Sequence, residues 1–353
     1  MPTTSTEPRP PNGPQPVLVW GGGAIGGTLA AWWARAGVPV LMVDIEPNHV
    51  EVCRTSGLRI EGPVDQFTQI IPCVTPQELA AMPHRRHAQV VLAVKALATQ
   101  TAVQSLLPYL ADDGAVLSAQ NGLNEVMISE MVGAHRTLGC FVNFAADWVE
   151  PGRILFGSRG TLVVGELDGS VRSRTRLMHE LLQAFDANAQ LSTNVWGHLW
   201  GKLGYLSMVY ATALNNDSML ANFEDPTRRD TLIRLARETV AVARAQAVEP
   251  LGFAGFEPLA FAADAPPSAA LASLDALCAF RRASAKTHSG IWRDLAVRRR
   301  RTEVDSQIAL VAQMGAAAGV NTPLLRRLTE LIHDIEEGRR VQSVDTFQAL
   351  AAA

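Results

Sequence analysis

Gly21, Gly23 and Gly26 form a GxGxxG pattern between the apolar run VLVW and a helical stretch, and Asp44 closes a second apolar run 18 residues after Gly26. Each glycine has a separate use at a dinucleotide pyrophosphate. The first permits a tight turn, the second lets the backbone approach the ligand, and the third lets the helix pack against the strand. Ala24 and Ile25 open the helix, whose N-terminal N–H groups and dipole favour phosphate. A carboxylate at position 44 can accept hydrogen bonds from both ribose hydroxyls and repels a 2′-phosphate. Ile45, Glu46, Pro47 and Asn48 supply no cation to hold such a phosphate, so the pattern favours NAD over NADP.

These residues need a sheet and crossover helices to position them. Short β-branched runs, VLVW, VLMV, VVLAV at 90–94, AVLSA at 115–119, LGCFVNF at 138–144 and TLVVGEL at 161–167, alternate with helical stretches. The expectation is an α/β protein with an N-terminal Rossmann-type doubly wound domain, its later strands forming an antiparallel extension. Helical patterns take over at 171–187, 196–221, 227–247, 268–297 and 302–319, and Asn321, Thr322 and Pro323 signal the start of one more. The stretch 249–270 reads as a loop. The chain divides into a disordered leader at 1–15, a dinucleotide-binding domain at 16–190 and an all-helical catalytic domain at 191–345. A nicotinamide ring would lie in the cleft between the two domains, beyond the carboxyl ends of the strands.

Composition narrows the function classes. The 353 residues are 48% apolar with a formal charge of −3, which gives no reason to expect nucleic acid or an anionic membrane as partner. There is no apolar run of about 18 residues to span a membrane. The leader lacks the apolar core of a signal peptide. Cys53, Cys73, Cys140 and Cys278 are widely spaced, with no disulfide framework or metal-ligand pattern, and read as reduced thiols of a cytoplasmic protein without a metal. The run Arg298 to Arg301 reads as a solvated turn with one arginine in reach of a substrate carboxylate.

The ordered pieces GGGAIGG at 21–27, VKALATQTAV at 94–103, QNGLNE at 120–125, LWGKL at 199–203 and RTEVD at 301–305 resemble the ketopantoate reductases (2-dehydropantoate 2-reductases) from Val17 to about Glu337. The resemblance implies that Lys202 is the proton donor and Glu303 the acid beside it. It also implies that Asn121 touches cofactor and substrate, that Lys95 lies near the nicotinamide, and that Ala145 contacts the cofactor. Such roles suit the chemistry, because hydride delivery to a ketone leaves a developing alkoxide that a positioned ammonium can stabilise and protonate. Lys202 is one of only three lysines, with Lys95 and Lys286, among 31 Lys and Arg. His198, one turn earlier, faces the same way. The family's fold commonly pairs through the helical part, which implies a homodimer, although the sequence itself shows no interface.

Two departures bear on the substrate. The family carries asparagines four and eight residues after the lysine, where this chain has Leu206 and Tyr210. A pocket that loses two amides binds a hydroxylated 2-oxo acid less well, because polar groups are desolvated without replacement. The family's substrate serine matches Ser289, but the segment from Asp294 to Glu303 is one residue longer here, which leaves either Ser289 or His288 to face the substrate. The reading is an NAD-preferring oxidoreductase acting on a small 2-oxo acid or ketone, or on its alcohol. An NADPH-dependent 2-dehydropantoate 2-reductase and a non-catalytic dinucleotide sensor stand as alternatives.

Overall fold

The computed structural model describes residues 15–83, 85–282 and 286–352; the leader expected at 1–15 lies outside them except for its last residue. The N-terminal part runs β1 (Val17–Trp20), α1 (Ala24–Arg35), β2 (Val40–Val43), α2 (Pro47–Thr55), β3 (Leu58–Glu61), β4 (Phe67–Gln69), β5 (Cys73–Val74), α3 (Pro76–Ala81), β6 (His87–Leu92), α4 (Thr99–Leu106), β7 (Leu110–Ser118), α5 (Asn124–Val132), β8 (Thr137–Val142), β9 (Ala145–Glu150), β10 (Arg153–Ser158), β11 (Leu162–Glu166), α6 (Ser173–Phe185) and β12 (Gln190–Leu191).

Eight strands form one sheet in the order β12-β11-β8-β7-β6-β1-β2-β5. Residues of β1, β6 and β8 are almost all buried, as central parallel strands covered on both faces require. β11 joins β8 antiparallel, the extension expected at that edge. From β1 the chain builds outward to β2 on one side and to β6 on the other. The carboxyl ends of β1 and β6 therefore flank a topological switch point, where doubly wound sheets take their ligands.

A second sheet, β4-β3-β10-β9, was not expected from the sequence. Its strands are short and mix charged with apolar residues, and β3 pairs with β10 across a long stretch of chain, so local periodicity does not mark them. α1 lies against this sheet: Trp32 makes edge contacts with Phe67, Phe156 and Phe185 at centroid distances of 4.7, 5.0 and 5.2 Å.

The C-terminal part is helical: α7 (Val195–Thr212), α8 (Met219–Glu224), α9 (Pro226–Ala245), α10 (Pro267–Arg282), α11 (Gly290–Ala296), a π-helical turn (Asp305–Ala309), α12 (Leu310–Ala317), α13 (Pro323–Glu336) and α14 (Val344–Ala351). Two long helices expected from the sequence are broken. The one at 196–221 ends at Thr212, because the Asn215 side chain accepts from Asp217 N and Ser218 caps a new helix, α8. The one at 268–297 splits into α10 and α11, with Ser289 as the cap of the second. In the expected loop at 249–270, Pro258–Phe261 forms a 3₁₀ turn and α10 already begins at Pro267. α7 is apolar on all sides and packs against α9 and β8, which makes it the central helix of this part. Lys202 is its only Lys, Arg, Asp or Glu.

Candidate active site

The cofactor half of the site is made by the backbone at the end of β1. Gly21 N donates to Val43 O at 2.8 Å and so ties the turn to β2. A Cβ at Gly26 would stand 2.0 Å from Gly21 O and 2.8 Å from Ala93 Cβ, so no other residue allows α1 to start there. A Cβ at Gly23 would meet nothing within 4 Å, which leaves the space before Ala24 and Ile25 open. No side chain caps the first turn of α1. The turn therefore fits a dinucleotide pyrophosphate. Asp44 lies beside it, its carboxylate accepting from Gly22 N at 2.7 Å and Glu46 N at 2.9 Å. Those two bonds orient the carboxylate and leave further lone pairs for ribose hydroxyls.

Three details of this half carried no sequence signal. Buried His49 supports the turn from below: Gly152 N donates to its Nδ1 at 3.0 Å, so Nε2 carries the proton and donates to Gly22 O at 2.9 Å. Ile45 next to Asp44 is 81% exposed and presents an apolar surface beside the carboxylate. Arg54, on the helix after Asp44, is engaged by Glu51 and Glu78.

The catalytic half is assembled from residues far apart in sequence. Lys202 Nζ donates to Asn121 Oδ1 at 2.6 Å and also to Val142 O at the end of β8. An ammonium has three donors, so one remains for a substrate oxygen. Asn121 is held in place by the turn it belongs to. Gly122 has a φ of +96°, and a Cβ there would strike Gln307 of the π-helical turn at 2.9 Å. Beneath that turn Gln120 donates to Val94 O and Thr99 Oγ1, and Asn124 donates to Asn121 O, each at 2.8 Å.

Burial lowers the Lys202 pKa to about 8; the nearby Lys286 cation pushes the same way, while Cys140 and Glu303 oppose it. The lysine is thus poised to exchange a proton near neutral pH. Its Nζ is 5.5 Å from the centre of the Phe141 ring. Phe253 lies 5.1 Å from Phe141 and Tyr205 lies 5.8 Å from Phe253, and Phe141 itself is fully buried, so these rings belong to the packing around the lysine.

Glu303 sits where the helical part meets the loop after β6. Its Oε2 accepts from Lys95 Nζ at 2.9 Å and its Oε1 from Ala96 N at 2.8 Å. It makes no hydrogen bond to Lys202 and acts on that lysine only through its charge. A π-helical turn follows it directly, a device that recurs at functional sites.

The remaining expected residues have different placements. Ala145 begins β9 and is half-buried. Leu206 is half-buried, whereas Tyr210 is 1% exposed and packed within the helical core. Ser289 is buried and its hydroxyl accepts from Trp292 N as the cap of α11. The His288 ring lies 4.1 Å from that of Trp292, with Nε2 at 3.2 Å from Asn216 O. His198 stands against Phe141 and is held below its ordinary pKa by desolvation. In the arginine run, Arg298 and Arg300 both bind Asp294. Glu125 in QNGLNE was not anticipated as special; burial raises its pKa to about 8, so it is mostly protonated at neutral pH.

Residues 17–169 match the model of ketopantoate reductase PanE/ApbA, and residues 194–336 match that of its C-terminal domain. The chain belongs to the ketopantoate reductase family. As a member it is a nicotinamide-dependent oxidoreductase working between a carbonyl and an alcohol. A 2-dehydropantoate 2-reductase of Mesorhizobium japonicum is 28% identical over 260 residues, 67% of this chain and 78% of the relative. One from Streptococcus pyogenes serotype M3 is 24% identical over 92% of this chain and 99% of its own length. Among solved structures, a PanE/ApbA family ketopantoate reductase of Ralstonia eutropha JMP134 is 25% identical with a TM-score of 0.75, covering 92% of this chain and 99% of that one. A ternary complex of D-mandelate dehydrogenase with NADH and anilino(oxo)acetate has a TM-score of 0.79 at 19% identity over 92% of this chain and 99% of that one, a likeness of fold.

Proposed function

We propose that this enzyme prefers NAD and interconverts a 2-oxo acid bearing an apolar side chain with the corresponding 2-hydroxy acid. The observation that carries the proposal is Lys202, half-buried, with one donor left over by Asn121 and Val142. The nicotinamide, when bound, supplies or accepts the hydride. Lys202 donates a hydrogen bond to the carbonyl oxygen and gives up a proton as the alkoxide forms. In the opposite direction neutral Lys202 takes that proton back, which a pKa near 8 allows. Asn121 and Val142 O fix the amine, while Glu303 anchors Lys95 and favours the ammonium. Asp44, with no cation paired to it among the described residues, supports NAD. Leu206 in place of an amide supports an apolar substrate side chain. We further place the enzyme in the cytoplasm and propose that it works as a homodimer.

A second reading is NADPH-dependent reduction of 2-dehydropantoate, and the names of the curated relatives favour that substrate. The sensor alternative is set aside by the family assignment. Fluorescence titration with NADH and NADPH, followed by turnover with 2-dehydropantoate and a panel of aliphatic and aryl 2-oxo acids, separates the two readings. Tighter NADH binding with faster turnover of the apolar acids supports the proposal. Tighter NADPH binding with 2-dehydropantoate as the fastest substrate establishes the second.

A further inference from the structure

One corner of the cleft, between β9 and α11, carries cations that proton transfer at Lys202 does not use. Arg293 on α11 reaches across to β9, where its Nη1 donates to Asp147 Oδ2 at 2.6 Å. Its Nε and Nη2 atoms are buried and make no hydrogen bond. A guanidinium presents its N–H groups as a rigid fork that matches a carboxylate. Buried donors without acceptors are costly, and the side chain as a whole keeps 29% of its surface accessible, so Arg293 is not sealed off from an anion. Asp147 follows Ala145 by two residues and so shares its face of β9, the face on which the family resemblance implies a cofactor contact.

Lys286 joins this corner to the reacting centre. It acts electrostatically on Lys202, and it is itself held below the ordinary lysine pKa by desolvation and by the cations Arg293, Arg281 and Lys95. Asp147 opposes that shift, one carboxylate against three cations among the groups that act on Lys286 most strongly. The excess of positive charge suits an anion placed between Arg293 and Lys202. The cofactor pyrophosphate does not fill this role, since its place is the turn before α1.

We propose that Arg293 and Lys286 form the subsite for the substrate carboxylate, with Arg293 fixing its orientation, Asp147 positioning Arg293, and Lys286 extending the positive field toward the carbonyl at Lys202. The proposal rests on the 2-oxo acid reading and names the residues that would make a carboxylate obligatory. Neither Arg293 nor Lys286 was singled out as a substrate contact by the sequence motifs.

The test uses the full chain saturated with NADH and titrated with oxamate or oxamide, which present the same carbonyl beside a carboxylate or a neutral amide. Binding is read from the nicotinamide fluorescence. Expected is at least tenfold tighter binding of oxamate than oxamide. Arg293→Gln should reduce that preference at least tenfold while NADH affinity stays within twofold, Arg293→Lys should restore part of it, and Lys286→Gln should act in the same direction but less. The double variant Arg293→Gln with Asp147→Asn removes the unpaired carboxylate and should behave like Arg293→Gln, provided the loss is not a folding defect. Equal binding of oxamate and oxamide to the unaltered enzyme, an unchanged preference in Arg293→Gln, or a parallel loss of NADH affinity would overturn the subsite. Intact oxamate preference without turnover of any 2-oxo acid would sink the proposed reaction and leave the subsite standing.

Discussion

The turn before α1 and the cleft around Lys202 are built in opposite ways. In the turn, backbone groups do the work and side chains matter mainly by being absent, as the 2.0 Å approach at Gly26 shows. In the cleft, side chains do the work, and each depends on a partner from another part of the chain: Lys202 on Asn121 and Val142, Lys95 on Glu303, Arg293 on Asp147. The difference teaches that cofactor binding and substrate choice can change separately. A residue can be replaced at Leu206 or Tyr210 without touching the turn, and a family can keep its cofactor site while its substrates diverge.

The comparison can be broken by variants that should affect one region only. Lys202→Ala should lower kcat by about a thousandfold or more, since it removes both the proton donor and the charge on the developing alkoxide, while NADH affinity in a fluorescence titration stays unchanged. An equal loss of NADH affinity would mean that the two regions are not separate. Asp44→Ala should do the reverse. It should weaken NADH about tenfold and narrow the preference over NADPH, through loss of ribose hydrogen bonds worth about 1.5 kcal/mol, with kcat at saturation nearly constant. Glu303→Gln lies at the seam and should touch both regions slightly. The exposed Lys95 partner, with 58% of its side chain accessible, makes the ion pair worth no more than about 1 kcal/mol, or severalfold in cofactor affinity. Loss of the Glu303 charge also removes a group that favours the Lys202 ammonium, so the pH midpoint of catalysis should move down.

The same contrast explains what could be read from the sequence. The GxGxxG turn, β1, α1 and Asp44 are contiguous, and their physics is local, so spacing alone marks them. The roles of Lys202 and Glu303 were legible only through resemblance: the scarcity of lysines and the apolar run around Lys202 mark it as unusual without saying what it does. The resemblance did not reveal that Glu303 grips Lys95 and the Ala96 amide while leaving Lys202 to Asn121. That pairing joins residues 208 positions apart. Tyr210 was expected at the substrate, yet its place on a helix buried all round puts it in the core, and a pattern of apolar residues on every face cannot say which face is open. The second sheet escaped notice for the related reason that its strands are short and paired at long range. His49 and Arg293 likewise take their meaning from partners that only the fold supplies.

The central claim is that Lys202 is the group whose proton moves, and the most direct measurement is kcat against pH in both directions with a 2-oxo acid and its 2-hydroxy acid. With a Lys202 pKa near 8, reduction needs the ammonium and should fall as pH rises through about 8, while oxidation needs the neutral amine and should rise through the same midpoint. The two opposed profiles should both vanish in Lys202→Ala. A pH-independent kcat in both directions with chemistry rate-limiting, or opposed profiles that survive Lys202→Ala, would contradict the account.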